Sequence, residues 1–191
     1  MDRREAIQRV TVLLGGTILG ANAFLTGCKP ADEKTGETFT DKDIAMLDEI
    51  AETIIPATNT PGAKAAKVGA FMTVMVNDCY EEKDQKEFKQ GLNKIREASD
   101  KKYDKSFMEI SSQQRLELLT GLDAEQKQAA EKQKQDPKDD YQKHYFRMMK
   151  ELTLLGYFTS EIGQTQALRY EPVPGRYEGC VPYKKGDRAW A

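Results

Sequence analysis

Side chains able to do acid–base, metal or redox chemistry are sparse in this chain of 191 residues. It has one histidine, His144, and three cysteines, Cys28, Cys79 and Cys180. A single imidazole cannot supply a His-based triad, a His acid–base pair or a His-rich metal site. Beside Asp140 and Lys143, it reads as a solvated residue on a charged helix face. The acidic pairs Glu81-Glu82 and Asp139-Asp140 are contiguous and lack the alternate spacing of a calcium loop. Met72, Met75, Met148 and Met149 offer soft sulfur, but their helical spacing among Leu, Val and Phe is the pattern of core packing. Gly15, Gly16 and Gly20 mimic a dinucleotide-binding loop with no strand before them and no matching acidic residue after them. No Cys-x-x-Cys is present, so a zinc ribbon or a thioredoxin-type centre is excluded. The chemistry on offer is recognition rather than catalysis, and no catalytic, cofactor-binding or metal-binding residue is expected.

The N-terminus reads as an address. Arg3 and Arg4 are adjacent, and residues 10–25 carry no charge and end in Leu25-Thr26-Gly27-Cys28. Sixteen apolar or small residues fall short of the roughly 20 that a spanning helix needs. Paired arginines suit the twin-arginine export route, and Leu-Thr-Gly-Cys suits a bacterial lipobox in which Cys28 carries lipid. A plain N-terminal membrane anchor is the alternative. The expected organisation is a signal peptide over 1–27, a polar tether over 28–39 and one helical domain over 40–191. That places the protein in the bacterial cell envelope, lipid-anchored on the periplasmic side of a membrane.

The elements that must position any functional surface are helical. With 29 Lys and Arg against 31 Asp and Glu, the net charge is -2, and no basic excess points to nucleic acid. Thr40 with Asp43 starts a helix carrying Ile44, Leu47, Ile50, Ala51 and Ile54 on one face, which Pro56 ends. Val68, Phe71, Met72, Met75, Val76 and Cys79 form a second stripe, with Cys79 expected to face the core. A third helix is expected over 84–99 on Phe88, Leu92 and Ile95. Ser111 and Gln114 can form a capping box ahead of Leu116, Leu119 and Leu122. Residues 123–140, nearly all Gln, Lys, Glu, Asp and Ala, read as a solvated helix end or loop. A last helix over 141–155 should bury Tyr145, Met148, Met149, Leu152 and Leu155, with Gly156 at its C′ position. The fold class is mainly α, a small helical domain with an extended, Pro/Gly-rich C-terminal tail.

That tail carries Pro172, Pro174 and Pro182 beside Tyr157, Phe158, Tyr170 and Tyr177. Prolines forbid a continuing helix, and the aromatics are those of a contact surface. It either wraps its own domain or lies on another protein. With Cys28 lipidated, Cys79 and Cys180 remain as an even pair in an oxidising compartment. They are expected to join in a disulfide that pins the tail, with two free thiols as the alternative.

The runs Glu52-Thr53-Ile54-Ile55-Pro56-Ala57, Asn59-Thr60-Pro61-Gly62-Ala63-Lys64-Ala65-Ala66, Gly156-Tyr157-Phe158-Thr159-Ser160-Glu161-Ile162-Gly163 and Leu168-Arg169-Tyr170, then Gly175 to Pro182, resemble the gluconate 2-dehydrogenase subunit 3 family. The Gln/Lys-rich stretch departs from that family's pattern, and the lipobox varies its usual export signal. The resemblance implies a non-catalytic small subunit without a cofactor of its own. Its partner would be a large flavin-dependent subunit of the glucose-methanol-choline type that carries FAD and oxidises a sugar or sugar acid. Some such complexes add a cytochrome c subunit. On that resemblance the small subunit assists maturation, export and membrane attachment, with Tyr157, Phe158, Ser160, Glu161, Tyr170 and Tyr177 expected at the partner interface. A free-standing envelope lipoprotein that binds a small ligand or another envelope protein is the alternative.

Overall fold

A computed structural model of the chain describes residues 39–136, 142–173, 175–176, 179–182 and 184–190. Arg3, Arg4, Cys28 and Tyr177 lie outside the described residues. The described part is mainly helical, and its first helix, α1 (Asp41–Ile54), begins as the side chains at its start require. Thr40 Oγ1 accepts from Asp43 N at 3.3 Å while Asp43 Oδ2 accepts from Thr40 N at 2.7 Å, a reciprocal capping box. Asp41 and Asp43 also suit the positive end of the helix dipole. Met46, Leu47, Ile50 and Ala51 form the buried stripe, and the helix ends just ahead of Pro56. A loop over 55–67 then leads into α2 (Val68–Cys79), entered through Lys67 in the left-handed region at φ 54°.

Helix α3 (Glu82–Tyr103) extends beyond the expected span at both ends and stops at Asp104, again left-handed. Phe88, Leu92 and Ile95 are buried on it as their spacing predicts. Helix α4 (Ser112–Gln135) opens on the expected box, with Gln114 N donating to Ser111 Oγ and Ser111 N donating to Gln114 Oε1. It runs through most of the polar Gln/Lys stretch, residues with good intrinsic helix propensity. Its inner face is Leu118, Leu119 and Leu122, whereas Leu116, expected inside, is 47% exposed.

Helix α5 (Tyr145–Thr159) is the hub and packs against each of α1 to α4. A helix surrounded in this way is apolar on most of its circumference. Tyr145, Phe146, Met148, Met149, Leu152 and Tyr157 are all buried. Each such side chain contributes about 1.5 to 3 kcal/mol of transfer free energy, so this helix dominates the core. Two expectations about it are corrected. The helix passes through Gly156 rather than ending there, because Gly156 is where Phe71 of α2 packs: a Cβ would come within 2.6 Å of the Phe71 ring. Leu155 points outward, 45% exposed, because Phe71 of α2 packs at Gly156 instead.

His144 is also placed differently from expectation. It is the N-cap of α5: Nδ1 accepts from Phe146 N at 3.2 Å and the ring stacks on Tyr145. Burial pushes its pKa down, against the attraction of Glu125 and Glu87 and with the help of Lys94. The unfolded chain therefore binds this proton more readily than the folded one. Stability is full above the ordinary value of about 6.5 and falls as pH drops toward the lower folded pKa. His144→Asn keeps a capping acceptor that does not titrate. Urea midpoints for the parent should fall between pH 7.5 and 5.5, and the His144→Asn slope should be visibly flatter; identical slopes would remove this role.

Candidate partner interface

The motif residues of the first loop are occupied in building it. Glu52 Oε1 accepts from Ala57 N and Oε2 from Lys64 N, both at 2.9 Å, so one carboxylate ties the loop's two ends. Gly62 lies against that carboxylate with no room for a Cβ. Asp48 Oδ1 accepts from Gly69 N at 2.7 Å, fixing the start of α2 on α1. Glu49 receives both Lys64 and Arg115. Burial would raise its pKa, but the two cations outweigh it and hold the carboxyl below its ordinary value. Arg115 also donates from Nε to Phe107 O at 3.0 Å and from Nη2 to Met108 O at 2.8 Å. These carboxylates are committed to backbone amides or to cations, an arrangement that holds a loop in place.

The second motif closes the same corner. Tyr157 is 2% exposed and its hydroxyl donates to Pro61 O at 2.7 Å. Tyr157 was expected as a partner anchor; it is instead part of the subunit's own core, because its ring fills the space beneath the loop. Phe158 meets it edge-to-face at 5.2 Å and remains 38% exposed. Ser160 Oγ donates to Tyr157 O at 2.7 Å and accepts from Gly163 N at 3.0 Å, which starts a π-helical turn at Gly163–Ala167. Glu161 is exposed. Of these four, Phe158 and Glu161 face outward, while Tyr157 and Ser160 shape the backbone.

From Tyr170 onward the described residues of the tail are exposed. Tyr170 is 56% exposed, Val173 76% and Val181 55%. Trp190, which spacing did not single out, is 61% exposed and returns to Arg169 as an isolated parallel bridge. Cys79 is exposed too, contrary to its expected place in the core, because it is the last residue of α2 and lies beyond Val76, the final buried position. Its sulfur is 4.0 Å from Met75 Sδ. Cys180 is a second exposed free thiol, and the expected Cys79–Cys180 bond is not made. A separate cleft of about 410 Å³ lies between α1, α3 and residues 106–108, floored by Met46 and Phe107 and edged by Lys42, Arg96 and Asp100. Among the described residues no helix is long and apolar enough to cross a membrane, and no group of three or more His, Cys, Asp or Glu could hold a metal ion.

The motif residues are spent on internal architecture, and apolar side chains are displayed on the tail of a small helical domain. The chain belongs to the gluconate 2-dehydrogenase subunit 3 family, whose model matches residues 41–175. By its description the family supplies one subunit of a multi-subunit dehydrogenase complex. Neither a curated protein nor a solved structure matches the chain.

Proposed function

We propose that this chain is the non-catalytic small subunit of a membrane-associated, flavin-dependent dehydrogenase of the glucose-methanol-choline type that acts on a sugar or sugar acid. The large subunit carries FAD and performs the oxidation. The small subunit holds no cofactor; it assists the partner's maturation, carries it through the twin-arginine route by means of Arg3 and Arg4, and ties it to a membrane through lipid on Cys28. Phe158, Glu161 and the tail from Tyr170 onward meet the large subunit, and a cytochrome c subunit accepts electrons where the complex has one. The observation that carries this reading is the family match over residues 41–175, which includes Tyr170 and Val173 of the exposed tail. Large, stiff aromatic side chains displayed in this way are the residues that dominate binding energy in protein interfaces.

Capture of the full chain from detergent-solubilised membranes should bring down a large subunit with the absorption spectrum of a flavin. The Cys28→Ser variant should lose its acyl mass and leave the membrane fraction, and with it the dehydrogenase activity of that fraction. A mature N-terminus elsewhere, without acyl mass, would rule out the anchor. Capture of the parent chain without flavin would rule out the partner.

A further inference from the structure

We propose that Arg169 and residues 187–190 form a clasp that holds the two ends of the C-terminal tail together and so presents Tyr170, Val173 and Val181 to an apolar, acid-rimmed groove on the large subunit. This rests on the reading that the tail meets that partner. Arg169 is engaged through its backbone N–H, its Nε and its guanidinium. Its backbone N donates to Ala189 O at 2.8 Å and its Nε to Arg188 O at 2.7 Å. The guanidinium lies over the Trp190 ring, 4.9 Å from the centroid, and Nη2 is 3.5 Å from the Asp187 carboxylate. Arg188 Nη1 in turn donates to Gln166 O at 2.8 Å, on the π turn. That turn is bonded back to α5 through Ser160, so the clasp is continuous with the helical core.

Holding the two ends of the tail together removes much of the ordering cost that a loose tail would incur on docking. The apolar side chains so presented are uncovered, as their exposure shows. Charge points to the occupant. Residues 169–191 hold 5 Lys and Arg against 3 Asp and Glu, whereas residues 39–168 hold 19 against 23. A tail of positive sign on a body of negative sign favours an acid-rimmed groove. The family places the chain among the subunits of a complex, which makes that groove the large subunit's. Residues 187–190 lie beyond the matched residues, so the clasp is a property of this chain rather than of the family model.

Trp190 is the only tryptophan, so its emission reports the clasp directly. In the full chain in detergent, Arg169→Ala should shift that emission to the red and make it easier to quench. Tryptic cleavage at Lys184 and Lys185 should become faster, and affinity for the co-produced large subunit should fall about tenfold. The melting temperature should stay within about 2 °C, since the clasp lies outside the core. Arg169→Lys keeps the charge but loses the Nε bond and the planar stack, and should resemble alanine. Unchanged emission and cleavage would overturn the clasp. Changed emission with full affinity would overturn its role in docking. A chain ending at Leu168 that still holds the large subunit with full affinity would overturn the tail interface itself. Loss of the partner on that truncation but not in Arg169→Ala would overturn the clasp alone. Tail-dependent dimers of the isolated subunit in sedimentation would overturn the large subunit as occupant.

Discussion

Tyr157→Ala is expected to destabilise the subunit by about 3 to 5 kcal/mol and to lower its melting temperature by roughly 10 °C. Two costs combine at this position. The ring is 2% exposed, so its removal leaves a cavity at the end of α5, next to the place where Phe71 packs on Gly156. The hydroxyl is the link from α5 to the loop at Pro61, and without it the Pro61 carbonyl loses its donor. Tyr157→Phe separates the two effects and should cost only about 1 to 2 kcal/mol. Phe158→Ala, one residue further along and 38% exposed, should cost less than either and should weaken the large subunit's hold instead. Urea unfolding of the variants, set beside partner capture, reads both quantities. If Tyr157→Ala unfolds like the parent and only partner capture suffers, the ring is an anchor and not part of the core.

The neighbouring Tyr157 and Phe158 show where a sequence stops being legible. Their types are alike, and successive helical residues point about 100° apart, so one faces in and one faces out. The contact that decides which is which lies 96 positions away, at Pro61. Short-range chemistry was fully readable: the boxes at Thr40 with Asp43 and at Ser111 with Gln114 need only four consecutive residues, and both formed. The apolar stripes located the five α-helices of the described residues. They did not reveal which edge of a stripe its neighbour would cover, which is why Leu116 and Leu155 ended outside and Met46 and Leu118 inside. His144 looked solvated beside its charged neighbours, yet its imidazole caps the first turn of α5, a role that residue type alone does not suggest. Glu52 stood inside a recognisable motif, but its two backbone bonds across the loop emerge only when the loop is folded. Arg169 and Trp190 had no signal of either kind, since one bridge between two residues of an extended tail has no periodicity.

Changing Arg3 and Arg4 together to lysine is expected to reduce dehydrogenase activity on the outer face of the membrane to background, while flavin-loaded enzyme accumulates in the cytoplasm. The double change keeps both positive charges, so a signal that needed only a basic start would survive it. Loss would therefore show that the two guanidinium groups are read as such, with a planar, multiply donating shape that an ammonium cannot copy. On the function proposed above, the effect on the partner follows from the chemistry of FAD. A flavoprotein that binds FAD in the cytoplasm must cross folded, and if it depends on this chain for its address, the address and the docking surface must both be intact. Two controls separate these requirements. Arg9→Lys, outside the pair, should leave export unchanged. A chain with Arg3 and Arg4 intact but ending at Leu168 should reach the membrane by itself and leave its partner behind, because exposed Tyr170, Val173, Val181 and Trp190 are then missing. Fractionation with activity and flavin measured on each side of the membrane distinguishes the cases. Outer-face activity equal to the parent's in the double lysine variant would show that the large subunit travels on an address of its own.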